Sequence, residues 1–411
     1  MTTDRRTFLG SLGVLGVACA RPIVAKPAVA QPVVPRGQLV AADDFAFAPE
    51  LAYLQTGSLG PSPRLVVDRA LAVWKQLEAD PSVNGYGELQ KGMEVVRGKA
   101  AALLGCKLDE LVLTNCTTEG MNWVAQGLSL AAGDRILTTD QEHPGGRVGW
   151  DFVAKRYGAA IDVVPIPPGE NDAGAIVERF AKAITPRTVA LSFSHVLSST
   201  GLVMPVAELS ALARKANAIA IVDGAQAAGA IPVDVKALGC HVYATSGHKW
   251  LLGPPGTGML YLSSELGDRV EVIALQDGRA AYTHSSGVCS IPSVHGLGAA
   301  IDYMTAIGID RVLAYDLELH RHLHERLSAL PKLRIVSAND GPLASPLLTY
   351  VLPPAIDSGE LAGRLFNNHH VEIKTVPANW LNGHRVSTHI FNSTEDVDRL
   401  TSALEVELRR S

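Results

Sequence analysis

Apolar positions along this chain fall into two alternating rhythms. Short runs of mostly apolar and β-branched residues occur at 111–114, 135–139, 161–164, 188–193 and 219–222, the pattern of buried strands. Between them apolar residues recur three and four apart. Leu65, Val66, Ala70, Val73 and Trp74 do so within 61–78, and Met93, Val96 and Ala100 within 88–104. Asp80-Pro81 separates these two helices, and further helices are predicted near 146–156, 173–184 and 205–217. Strand–helix alternation with long crossovers predicts an α/β domain built on a mainly parallel, doubly wound sheet.

Past Leu262 the rhythm changes. A long helical region at 294–330 breaks near Gly308, and a smaller α+β region follows. It holds strands at 347–352, 371–374 and 385–389, a helix at 359–368 and a helix from Thr394. Glu395 and Asp396 suit that helix's first turn, and Arg409 and Arg410 its last. The chain thus divides into a leader (1–30), an N-terminal arm (31–60), a large domain (61–293) and linking helices with a smaller C-terminal domain (294–411). Within the arm, Pro- and Ala-rich residues 31–48 read as a linker or extended segment.

The leader carries Asp4-Arg5-Arg6-Thr7-Phe8-Leu9, a weakly apolar run at 10–20 and Ala28-Val29-Ala30 before Gln31. These match a twin-arginine export signal with a small-x-small cleavage site, so the twin-arginine machinery is an expected partner and the periplasm or exterior the expected location. Acylation at Cys19 is disfavoured by Gly16, where an aliphatic residue is usual. Apolar residues make up 47% of the 411, enough for a sizeable core, and the formal charge is −5. No cluster of Lys and Arg suggests nucleic acid, and no internal apolar run approaches the ~20 residues that span a bilayer. Five widely spaced cysteines form neither a disulfide scaffold nor a zinc signature, and Cys106 and Cys240 sit in apolar surroundings as inert core residues.

Chemistry concentrates at 218–262. The run Ile219-Ala220-Ile221-Val222 stops at Asp223, and a turn of small residues follows. A second apolar segment at 240–245 leads to Lys249 in a loop rich in Gly and Pro. Both charges fall where open α/β sheets place their ligands. A lysine for a Schiff base and an aspartate for a pyridinium nitrogen are what pyridoxal phosphate (PLP) requires. Thr117-Thr118, opening a helix after a strand, offers backbone N–H groups and hydroxyls to a phosphate.

Ser246-Gly247-His248-Lys249-Trp250 and Asp223-Gly224-Ala225-Gln226 resemble the Ser-x-His-Lys loop and the Asp-x-x-Gln turn of the class V aminotransferase family. These are fold-type I PLP-dependent enzymes, and the resemblance is to the isopenicillin-N-epimerase-like and cysteine-desulfurase-related branch. It implies Lys249 as the Schiff-base lysine, Asp223 against the ring nitrogen, Gln226 at the ring hydroxyl, and Ser246 and His248 at the phosphate. Thr117-Thr118-Glu119-Gly120-Met121-Asn122 is similar to the family's phosphate turn, and Glu142-His143-Pro144 to its Glu-His loop. There His143 would stack on the ring and relay protons. Residues 53–60 resemble a segment along the site's mouth. Arg385, in Arg-Val-Ser-Thr-His-Ile-Phe-Asn, resembles the arginine that binds the substrate carboxylate. The family implies a homodimer in which the 277–292 region reaches the neighbour's phosphate, but Gly287-Val288 stands where Gly-Thr is usual.

The motifs leave the reaction open. Epimerisation or transamination at Cα of an amino acid or peptide ranks first, and a C–S β-lyase is the alternative. Cysteine desulfuration needs a mobile nucleophilic cysteine, and none follows Cys289. Ser194-His195 and the residues to Gly201 also replace the paired asparagines of desulfurases. A PLP-fold binding protein without turnover is opposed by the Lys249–Asp223 pair, and a nicotinamide enzyme by the lack of an early G-x-G-x-x-G.

Overall fold

The computed structural model describes residues 39–410 other than Pro49 and Ala378, so the expected leader lies outside the described residues. In chain order the elements are β1 (Ala52–Tyr53), α1 (Arg64–Ala79), α2 (Pro81–Gly85), α3 (Glu88–Leu104), β2 (Leu111–Thr114), α4 (Thr117–Gly127), β3 (Arg135–Thr139) and α5 (Pro144–Tyr157). Next come β4 (Ala160–Val164), α6 (Ala173–Ala183), β5 (Thr188–Ser194), α7 (Val206–Lys215), β6 (Ile219–Asp223), β7 (Val242–Ser246) and β8 (Gly258–Leu262). The remainder is α8 (Ile291–Ile307), α9 (Ile309–Ser328), β9 (Arg334–Ile335), β10 (Leu347–Val351), α10 (Ser358–His369), β11 (Val371–Glu372), β12 (Lys374–Val376), β13 (Gly383–Ser387) and α11 (Thr394–Arg410).

A seven-stranded sheet runs β2-β8-β7-β6-β5-β3-β4 and is parallel except at β8, which is antiparallel to both neighbours. The reason is local: only the loop 247–257 joins β7 to β8, too short for a crossover helix. In β6, Ile219 and Ile221 enter one core with Met121 and Trp150, while Ala220 and Val222 enter the opposite core with Phe180 and Leu209. Helices cover both faces, so the central strands β5, β6 and β7 are buried along nearly their whole length.

A four-stranded antiparallel sheet, β12-β13-β10-β9, packs its own core from α9, α10 and α11. The strand expected at 371–374 divides at Ile373: β11 pairs in parallel with β1, and β12 pairs with β13. That division draws the end of the expected arm into this core through Ala52 and Leu54. Nor are residues 39–45 a free linker, because Leu39, Val40 and Phe45 are buried against Leu252, Met304 and Ile390. Helix α1 buries Val66 and Val73, but Leu65 and Trp74, expected on its inner stripe, are 45% and 56% exposed. The expected strand at 385–389 is β13, shifted to Gly383–Ser387, which leaves His389 beyond its end.

Candidate active site

Parallel strands deliver their C-terminal ends to one edge of the sheet, and there the chain forms a cavity of about 770 Å³. The ends of β3, β5, β6 and β7 contribute residues 140–143, 194–199, 223–226 and 246–249. The start of α4 closes one side, while Gly57 and Ser58, together with β12 and Arg385 of β13, close the other. All nine residues singled out from the sequence, Thr117, Thr118, His143, Asp223, Gln226, Ser246, His248, Lys249 and Arg385, line this one cavity.

Asp223 ends β6 and is 5% exposed. Its Oδ1 accepts from Ala225 N at 2.9 Å. Its Oδ2 lies over Gly146, where a Cβ would come within 2.6 Å. Burial raises this carboxyl's pKa, and the Lys249 and His143 charges draw it back. Lys249 stands in the β7–β8 loop. Burial lowers its pKa to about 8, Asp223 opposes that shift and the Arg385 charge adds to it. His143 caps α5: its Nδ1 accepts from Gly145 N at 3.1 Å, which leaves any ring proton on Nε2. Burial, then the Lys249 charge, lowers the imidazole pKa, so the neutral ring that can serve as a cap is favoured.

Cys116, Thr117 and Thr118 at the start of α4 line the cavity, and Cys116 gives this 11-residue helix no side-chain cap, so among its first N–H groups only that of Thr117 is taken by a side chain. Ser246 Oγ accepts from Thr117 N at 3.0 Å and lies 2.7 Å from Thr117 Oγ1. His248 Nδ1 is buried with no hydrogen-bond partner among the described residues. An uncapped helix start, paired hydroxyls and an orphaned imidazole nitrogen are the donor set that a phosphate monoester satisfies. The residues present therefore fit PLP.

The lysine turn is held from several directions. Trp250 Nε1 donates to Gln226 Oε1 (2.8 Å), and Gln226 Nε2 donates to Gly57 O (2.8 Å). Gln226 thus spends much of its amide on the chain itself, which the sequence reading did not foresee. His389 Nε2 donates to Trp250 O (2.9 Å), and its Nδ1 lies 2.8 Å from Asp316 Oδ2. Both side chains are fully buried. No sequence signal marked this pair, because Asp316 is on α9 and His389 follows β13. Arg385, expected to bind the substrate carboxylate, is 5% exposed and already donates to Ser198 O (2.8 Å) and Ser58 Oγ (2.9 Å). Burial lowers the guanidinium's pKa to about 10.

Glu142 was also missed as a participant. It accepts from Thr139 Oγ1 and Ser194 Oγ, each at 2.6 Å. Burial raises its pKa to about 7 against those hydrogen bonds, with Asp223 adding to the rise. Its place beside His143 in the quoted motif was the available clue.

The aminotransferase class-V family model matches residues 52–400. Isopenicillin N epimerase of Amycolatopsis lactamdurans is 32% identical over 389 residues, spanning 89% of this chain and 97% of that protein. A cysteine desulfurase of Salmonella agona (strain SL483) is 30% identical over 403 residues, spanning 86% and 92%. Among solved structures, a mutant of C-DES with glycine covalently linked to its PLP cofactor superposes with a TM-score of 0.78 at 24% identity, covering 87% of this chain and 96% of that one.

Proposed function

The chain belongs to the class-V aminotransferase family of fold-type I PLP-dependent enzymes, and from that premise we propose that it acts at Cα of an α-amino acid, free or within a peptide, as an epimerase or aminotransferase. The observation that carries the reading is the convergence of Lys249, Asp223 and Arg385 on one cavity beside the phosphate-fitting end of α4.

When bound, PLP supplies an electron sink that weakens a bond at the substrate's Cα. Lys249 Nζ would hold its aldehyde carbon, and Asp223 would keep its ring nitrogen protonated. Thr117, Thr118, Ser246 and His248 would hold its phosphate. His143, on the α5 cap, would lie against its ring, and Gln226 would present its remaining N–H to the ring hydroxyl. Lys249, with its pKa depressed to about 8, can then take or return a Cα proton near neutral pH. Arg385, already fixed by Ser198 and Ser58, would orient the carboxylate.

Desulfuration is the weaker reading. Cys116 lies at the start of α4 and Cys289 is half-buried, while the β12–β13 turn at 377–382 carries no thiol. The proposal includes a homodimer, supported by Leu71, Trp74, Val83, Tyr86 and Val288, each more than half exposed and clustered beside a second, apolar hollow. It also includes twin-arginine export, supported by the leader sequence. Light scattering tests the first; for the second, a reporter fused after Gln31 should be exported only while Arg5 and Arg6 are intact. For the chemistry, borohydride reduction of the holoenzyme should fix a pyridoxyl group on the peptide containing Lys249. A label on another lysine sinks the site assignment.

A further inference from the structure

We propose that Lys374 is a second anion-binding group of the active site, and that the substrate carries a negatively charged side-chain group besides its α-carboxylate. The inference deepens the amino-acid reading above and rests on it.

Strands β12 and β13 are antiparallel, with Lys374 directly opposite Arg385 and Val376 opposite Gly383. Directly opposed residues share a face of the sheet, with Cβ atoms about 5 Å apart. Lys374, Val376 and Arg385 all line the cavity, as does Thr375 between them on β12. Like charges so placed repel one another, and a strand pair keeps them only at a cost in stability.

Neither cation is neutralised by the chain. Arg385 donates to a carbonyl and a hydroxyl, both uncharged, and its Nε has no partner among the described residues. No carboxylate among the described residues pairs with Lys374. Glu372, two residues away, accepts instead from Gln55 Nε2 at 3.0 Å. A lysine on an edge strand often serves only to block further strand pairing. Here the same residue lines the site opposite its arginine, a position that blocking does not require.

The division of labour follows from exposure. Arg385 is buried and fixed, suited to the invariant α-carboxylate. Lys374 is exposed at the mouth, on a flexible stem, suited to a charge further along the side chain. A glutamate-length side chain spans a separation of the order of one strand spacing.

The holoenzyme, titrated with L-glutamate and with its uncharged isostere L-glutamine, reports binding through the change in its visible spectrum. Wild type should bind glutamate about tenfold or more tightly than glutamine, the worth of one charge-assisted hydrogen bond. Lys374→Met should bring that ratio within about twofold, with the loss falling on glutamate, and Lys374→Arg should restore most of it. Equal binding of the two ligands by wild type overturns the proposal. So does an equal loss for both ligands in Lys374→Met, which would make the lysine a second holder of the α-carboxylate. A holoenzyme that responds to glutamine and glutamate alike leaves the amino-acid reading intact. One that responds to no amino acid sinks that reading and this inference with it.

Discussion

The two walls of the cavity are built on opposite terms. On the wall formed by the seven-stranded sheet, most of the polar groups are partnered by the chain itself, and the orphaned His248 Nδ1 stands where the phosphate would be held. Asp223 is tied to Ala225, Ser246 to Thr117, Glu142 to Ser194 and Thr139, and the lysine turn is fixed through Trp250. On the wall formed by β12 and β13, Arg385 is held only by neutral acceptors and Lys374 by no anion among the described residues. The first wall fits a cofactor that stays. The second carries charge that only an arriving ligand would neutralise. Preorganisation sits on one side of the cleft and selectivity on the other.

Breaking the lock on the first wall should have the largest effect. His389→Leu removes the donor to Trp250 O and leaves Asp316 buried without its partner. Burial already raises the Asp316 carboxyl's pKa, and its Oδ1 has no partner among the described residues. Stranding one member of such a pair costs about 3–5 kcal/mol, so thermal melting should drop by several degrees. Positioning is separated from plain destabilisation by comparing variants at matched folded fractions. His389→Leu with Asp316→Leu should regain much of the stability, because the lone charge is gone, yet turnover should stay low since Trp250 O remains unheld. Turnover returning along with stability would reduce the pair to a structural role.

How much of this was legible in the sequence follows the same division. The strands ending at Thr139, Ser194, Asp223 and Ser246 were readable because each is largely buried, and a short run of mostly apolar and β-branched residues between helical patterns reads as a strand. Residues at those ends inherited their place from the strands. The second wall depends on pairings distant in sequence. Nothing local says that Ile373 divides a strand, that Ala52 joins Val371, or that Lys374 stands across from Arg385. The apolar stripe on α1 misled for another reason: periodicity marks Leu65 and Trp74 as faces to be covered, without saying by what. Asp316 and His389 were invisible because a buried pair joining two separate elements leaves no spacing to read.

A smaller effect tests whether the walls sense each other. Arg385→Ala removes a fork that would bind the substrate carboxylate, and charge-assisted bonds of that kind contribute roughly 1.5–3 kcal/mol. Amino-acid affinity should fall by about one to two powers of ten, while PLP retention, which rests on the first wall, stays near wild type. The same substitution should also reach Lys249. Burial is the main cause of its lowered pKa of about 8, and the Arg385 charge adds to the lowering, whereas the Asp223 charge opposes it. Amine-directed labelling of the cofactor-free chain follows the free base and so rises with pH through that value. Removing the Arg385 charge removes a cause of lowering, so the labelling midpoint should move up. Asp223→Asn removes a cause of raising, so the midpoint should move down. Each shift should be under about one pH unit, the scale of a single charge partly screened in a cavity open to water. Opposite shifts mean that Arg385 tunes the lysine before any substrate arrives. If Arg385→Ala leaves the midpoint in place while Asp223→Asn lowers it, the second wall acts on substrate alone, and the two halves of the site are electrostatically independent.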